Sequence, residues 1–256
     1  MKLRIFTICL DGMPWIASQF AAWNRLECDW RWIVVEGAAM NNGSTKWCQP
    51  QSSRLSVDGT TEFLSCIRNH PRVTVIQQQS WDSKDAMCNA ALREIKEPCI
   101  LLQADSDELW SPDQLIALIR LFHDNPSTNC ARFFCRYFLG PNIIATSKDG
   151  YGNRSGEWLR AWRFSPGMRF NTHEPPNIED LRECPAGRDR TREMGLVFDH
   201  YAYATIKQVR YKEEFYGYKN AVSAWNSLQR NQGWPVNDLQ KFLPWVGPGA
   251  SADVIF

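Results

Sequence analysis

Three acids crowd into four positions at Asp105, Asp107 and Glu108, directly after the apolar run 99–102. A run this short, following Pro98, reads as a strand buried on both faces of a parallel sheet and not as a helix. Acids at the carboxyl end of such a strand repel one another, which is costly unless a cation sits among them. Two carboxylates at i and i+2 with a polar residue between suit a hard divalent ion, Mn2+ or Mg2+, which usually bridges to substrate phosphates. Ligands of open α/β sheets also bind beyond the carboxyl ends of the strands. Ser111-Pro112-Asp113-Gln114 then opens a helix, with Ser111 as N-cap, Pro112 at N1 and Gln114 at N3. The bland alternative is a set of solvated loop acids and helix caps. A D-x-D triplet is common by chance. Its place between a buried strand and a capped helix is what favours a metal–diphosphate site.

Strand, D-x-D and helix, preceded by alternating strands and helices, resemble the GT-A fold glycosyltransferases, the bacterial family 2-like group especially. The resemblance covers residues 1–220. It implies an α/β fold with a mixed, mostly parallel central sheet flanked by helices. It also implies one catalytic domain over 1–220, with a nucleotide-binding half (1–110) and an acceptor half (111–220). Residues 221–256 would be a helical, Pro- and Trp-rich extension packed on it. By resemblance, Asp105 and Asp107 hold the metal against the diphosphate of a nucleotide-sugar, Asp105 also counting among the donor contacts. His200 would complete the metal shell, with Asp199 beside it. Asp11 and Glu36 stand at strand ends where that family holds base and ribose. Lys84 and Asn89 stand near a motif that faces the donor. A Lys by a helix N-terminus is also an available counter-charge for a diphosphate.

The elements that would position these residues can be read in turn. Residues 3–10 form a strand, Asp11-Gly12-Met13-Pro14 a turn, and Trp15, Ile16, Phe20 and Trp23 the apolar face of a helix. A second strand over 30–35 ends in Glu36-Gly37, giving a βαβ opening. Residues 38–59 are polar and turn-rich, a long excursion with no assigned role. A helix over 60–68 and a strand over 73–77 follow. Ser83 or Asp82 then caps a helix whose apolar face is Ala86, Met87, Ala90 and Leu92. Residues 130–139 and 142–147 are strand-like, 149–156 is a Gly- and Asn-rich turn, and 157–164 is a strand with Arg160 on the face of Trp158, Trp162 and Phe164.

Phe170-Asn171-Thr172-His173-Glu174-Pro175-Pro176 cannot be helical, because its prolines fix an extended or turn backbone. Inverting transfer needs a carboxylate to take the acceptor's proton, and Glu174 is best placed for it, with Asp180 in reserve. The arginine-rich 179–193 reads as a solvated loop or a lid. The run 194–203 ends near His200, and H-Y-x-Y before the Q-V-R-x-K-E helix of 205–218 adds to the resemblance. A helix over 221–229 and proline-broken apolar groups follow.

Composition bounds the rest. The 256 residues suffice for one large α/β domain, and a net charge of +1 gives no reason to expect a nucleic-acid partner. Twelve tryptophans are many; most belong in a core, and a few are expected to form flat walls for sugar rings. Nine cysteines without a C-x-x-C pair fit buried thiols in a reducing cytosol better than disulfides or structural zinc. The N-terminus shows no apolar leader segment and no run long enough for a membrane span, so a cytoplasmic enzyme is expected, with peripheral membrane contact left open. The reading is therefore a metal-dependent, nucleotide-sugar glycosyltransferase acting on an acceptor hydroxyl. A non-catalytic nucleotide-sugar or carbohydrate-binding protein of the same fold, or a nucleotidyltransferase, stays open beside it.

Overall fold

The computed structural model describes residues 1–147 and 158–255; the turn expected over 149–156 lies outside the described residues. The chain opens with β1 (Leu3–Cys9), α1 (Trp15–Trp23), β2 (Trp30–Ala39), α2 (Thr60–Ile67), β3 (Val73–Trp81) and α3 (Lys84–Arg93). Next come β4 (Cys99–Gln103), β5 (Glu108–Leu109), α4 (Pro112–Asp124), β6 (Cys130–Arg132), β7 (Phe134–Tyr137) and β8 (Ile143–Ala145). Then follow β9 (Leu159–Phe164), β10 (Phe170–Thr172), β11 (Asn177–Ile178), β12 (Pro185–Ala186), α5 (Arg188–Glu193) and β13 (Val197–His200). The chain closes with α6 (Ile206–Tyr216), α7 (Ala221–Gln229) and β14 (Ala252–Val254).

Seven strands form one sheet in the order β12-β6-β9-β4-β1-β2-β3. β4, β1, β2 and β3 run parallel, and β9 lies antiparallel between β4 and β6. This is the mixed, mostly parallel α/β sheet expected. β1 and β4 occupy its middle because their runs, LRIFTIC and CILLQ, are apolar on both faces, and all five β4 residues are buried. Trp23, Trp30, Trp32, Trp110 and Trp162 are almost fully buried, the core role expected of most tryptophans. Trp47 is instead 55% exposed.

Three elements depart from the sequence reading. β2 does not stop at Glu36-Gly37 but runs on to Ala39, and its ladder with β3 shifts register between Glu36 and Ala38. Gly37 sits at φ 139°, where a Cβ would stand 1.8 Å from the Gln78 carbonyl oxygen, so this glycine marks a bulge and not a strand end. Residues 130–139 are two strands, β6 and β7. The arginine-rich 179–193 is irregular as far as Cys184; beyond that it supplies edge strand β12 and helix α5. Arg188 and Arg192 lie over the Phe134 ring, 4.6 and 4.8 Å from its centre.

Contacts divide the chain into two compact units. The first comprises Met1–Lys46, Pro50–Phe134 and Leu159–Phe198 and contains the whole seven-stranded sheet. The second comprises Trp47–Gln49, Cys135–Trp158 and Asp199–Phe256. In it β8 pairs antiparallel with β14, and α6, begun by a capping box between Thr205 and Gln208, packs with α7. Tyr218 stacks on Trp245 at 5.0 Å.

None of the nine cysteines is in a disulfide. Burial pushes the Cys9 and Cys88 thiols well up, Cys99 to about 12 and Cys130 to about 11, so these side chains behave as small core hydrophobes. No helix among the described residues is long and apolar enough to cross a membrane.

Candidate active site

β4 ends on Gln103, and the Asp105 carbonyl accepts from the Glu108 amide at 3.0 Å to close the acidic turn. Two neighbours fix that turn. The fully buried Gln19 of α1 donates through Nε2 to the Asp105 and Glu108 carbonyls at 2.6 and 2.8 Å. At Gly12 an added Cβ would lie 3.1 Å from Ser106 Cβ, so the β1–α1 turn approaches closely. The helix beyond starts as expected, with both capping-box bonds between Ser111 and Gln114 formed.

The positive charge that the acids require is supplied in part by the chain itself. Arg160 of β9 is 4% exposed. It donates through Nη2 to Asp105 at 3.0 Å and to Glu108 at 2.8 Å, and through Nε to Glu108 at 3.0 Å. Glu108 is fully buried, so this pairing is what makes a carboxylate tolerable there. Asp107 lies partly exposed in the same turn.

Beside this turn, β10 brings in the segment from Phe170 to Glu174. Asn89 of α3 clamps it: Oδ1 accepts from the Phe170 amide at 2.8 Å and Nδ2 donates to its carbonyl at 3.0 Å. The His173 amide donates to Asp85 at 2.5 Å and to the Ser44 hydroxyl oxygen at 3.2 Å. Asp85 also accepts from the Ser44 amide and hydroxyl at 2.8 and 2.6 Å, which ties the 38–59 excursion to α3. The His173 ring faces Cys88 Sγ at 3.5 Å and Gln103 Nε2 at 3.4 Å through Nδ1. Burial lowers its pKa to about 4, with Lys84 the next cause. Lys84 Nζ lies 3.6 Å from Glu174 Oε2, so two residues chosen separately from sequence meet.

The two acids expected at strand ends serve the excursion, and Glu36 lies within β2, not at its end. Glu36 is fully buried; it accepts from the Ser56 amide at 3.1 Å, the Thr61 hydroxyl at 2.5 Å and Gln77 Nε2 at 2.7 Å. Asp11, at φ 57°, accepts from Arg54 at 2.5 Å and the Val57 amide at 2.8 Å. Asp180 lies exposed in the turn after β11, at φ 55°. His200 belongs to the second unit, where the rings of Tyr137 and Trp158 meet its ring edge-to-face at 4.9 Å each. Asp199 pairs with Arg136 at 2.5 and 2.7 Å.

Sequence reasoning singled out Asp105, Lys84 and Glu174 but missed Arg160, Gln103 and His173. The available signals were a charged residue inside an apolar strand, a polar residue closing a buried one, and an imidazole next to the chosen acid. Asp105 and Asp107 are the two aspartates of the turn, and Arg160 already engages one Asp105 oxygen. Among the described residues no group of three His, Cys, Asp or Glu side chains is gathered for a metal ion.

No protein-family model matches the chain, and no curated protein matches it by sequence. Among solved structures it is similar to S. aureus TarS 1–349 at 13% identity and a TM-score of 0.45, over 64% of this chain and 47% of that one. The complex of TarS 1–349 with UDP-GlcNAc gives 12% identity and a TM-score of 0.44, over 80% of this chain and 57% of that one. The mannosyltransferase PcManGT from Pyrobaculum calidifontis, in complex with GDP-Man and Mn2+, gives 19% and 0.40 over 53% of this chain and 36% of that one. The chain spans about half the length of TarS 1–349.

Proposed function

We propose that this protein transfers a sugar from a nucleotide-diphosphate sugar to an acceptor hydroxyl, with inversion, at the carboxyl end of β4. The observation that carries the reading is the constellation there: a carboxylate turn, Lys84 paired with Glu174 at 3.6 Å, and the buried His173 in one neighbourhood. Such a set can bind an anion, hold a cation and accept a proton within one neighbourhood.

Asp107 and Asp105 would hold Mn2+ or Mg2+ together with the donor's diphosphate. The ion, when bound, neutralises charge on the leaving phosphates. Arg160 keeps Asp105 oriented and Glu108 buried, so the turn is preset before ligand arrives. Glu174 takes the proton from the acceptor hydroxyl as that oxygen bonds to the anomeric carbon. The bond from the anomeric carbon to the phosphate oxygen breaks, and the electron pair leaves with the nucleoside diphosphate. Lys84 is placed to exchange its contact with Glu174 for a phosphate oxygen, which would free the carboxylate to act as base. Glu36 and Asp11 would act through the excursion they hold, and Asn89 through the segment it clamps.

The test is release of nucleoside diphosphate from UDP-, GDP- and dTDP-sugars with and without Mn2+, in wild type and Asp107→Asn. Metal-dependent release abolished by the substitution is the expected result. Unchanged release from the variant, with metal still required, would remove the proposal. Binding without release would favour the non-catalytic reading, and pyrophosphate as product the nucleotidyltransferase.

A further inference from the structure

His173 is buried beside the acidic turn, and the mechanism above gives it no role. Its protonation state follows from its neighbours. Gln103 Nε2 lies 3.3 Å from Asp105 Oδ1. A carboxylate only accepts, so the amide nitrogen of Gln103, and not its oxygen, faces Asp105. That same nitrogen faces His173 Nδ1 at 3.4 Å. It can only donate, so Nδ1 accepts and carries no proton. Cys88 Sγ, 3.5 Å from Nδ1, agrees, because burial keeps its thiol protonated and able to donate. The ring proton therefore sits on Nε2, across the ring and directed away from Gln103 and Cys88. The backbone on either side is held, by the Asp85 and Ser44 contacts to the His173 amide and by the Asn89 clamp on Phe170.

We infer that His173 is a fixed, uncharged hydrogen-bond donor of this site, presenting Nε2–H to a phosphoryl oxygen of the bound nucleoside diphosphate. The ligand rests on the proposed function; the tautomer rests on Gln103 and Cys88 alone. A phosphoryl oxygen suits the surroundings because Nε2–H needs an acceptor and the Lys84 ammonium beside His173 favours an anion there. Burial supports the same state, keeping the imidazole neutral at physiological pH.

Calorimetric titration of the full chain with UDP and GDP in Mn2+ tests this. His173→Phe removes the donor and should weaken binding roughly tenfold, the scale of one hydrogen bond to a charged group. His173→Gln, whose amide nitrogen can stand where Nε2 stands, should recover most of that loss. Equal affinity in His173→Phe, or a His173→Gln as weak as His173→Phe, overturns the inference. Nitrogen NMR of histidine-labelled wild type at neutral pH must show Nε2 protonated and Nδ1 bare. The opposite tautomer overturns the inference even if both variants fail to fold. Wild type that binds no nucleoside diphosphate overturns the sugar-transfer reading and the ligand named here with it, while the tautomer is read independently.

Discussion

Arg160 Nη2 stands 2.8 Å from Glu108 Oε1, and both residues are shut away from solvent, 4% and 0% exposed. Removing one member of such a pair strands the other charge in the interior. Arg160→Met should therefore cost about 3–5 kcal/mol of stability, far more than an exposed arginine would. Urea denaturation reads this directly. Adding Glu108→Leu to the variant should restore much of the loss, because the stranded carboxylate is then gone. A double variant no more stable than Arg160→Met would mean the pair is not what the arginine serves.

The same pairing predicts how the protein responds to chelation. Asp105 and Glu108 have their counter-charge without any ion, so stripping divalent metal should leave the thermal midpoint of the free protein unchanged. Turnover should vanish and return with Mn2+. The ion should raise the midpoint appreciably only when a nucleoside diphosphate is present, since the ternary site is what it completes. Differential scanning fluorimetry with EDTA, Mn2+ and UDP in all combinations separates these cases. A large drop with EDTA alone would point to a structural metal instead.

The parts legible in the sequence are those whose causes are local. β4 followed from an unbroken apolar run, and the start of α4 from the Ser111–Gln114 box. The Ser83 cap of α3 also declared itself within four residues. The partners of the acids were not legible, because they lie far off along the chain. Arg160 and Glu108 are 52 positions apart and meet only because β9 pairs with β4. Glu36 and Asp11 were read as strand-end acids, yet Glu36 lies within β2. Their partners Ser56, Val57 and Thr61 sit in or beside an excursion with no periodicity, so nothing local announced that these carboxylates organise it. Gly37 misled for a related reason: in sequence it resembles a strand end, and only the approach of Gln78 shows the bulge.

Asn89 holds a backbone segment that lies 81 positions further along the chain. Its amide closes two hydrogen bonds on the Phe170 backbone, four residues before Glu174. Asn89→Ala leaves both backbone groups without that partner and should cost about 1–3 kcal/mol. Hydrogen exchange at the Phe170 amide should speed up more than exchange in the β4 core, since the opening is local. Turnover should fall, and affinity for UDP should weaken by no more than it does in His173→Phe, because the clamp acts only through the 170–174 segment that carries Glu174 and His173. A larger loss of affinity than that of His173→Phe would mean that Asn89 contacts the donor itself.

His173 gives the protein a pH-dependent stability whose sign is fixed by burial. In the folded chain the imidazole is held down to about 4, against 6.5 for the ordinary group. Between those values the unfolded chain binds a proton that the folded chain does not, so the contribution is complete above about pH 6.5 and falls as the medium is acidified. The fall ends near the folded value and amounts to about 3 kcal/mol, to order of magnitude. Carboxylates titrate over the lower part of this window, so the useful quantity is the difference between wild type and His173→Gln in urea denaturation from pH 7.5 to pH 4. That difference should shift steadily in favour of the variant as the solution becomes more acidic. Parallel curves would mean that the folded ring accepts protons as freely as the unfolded one, and that the cavity around it admits water.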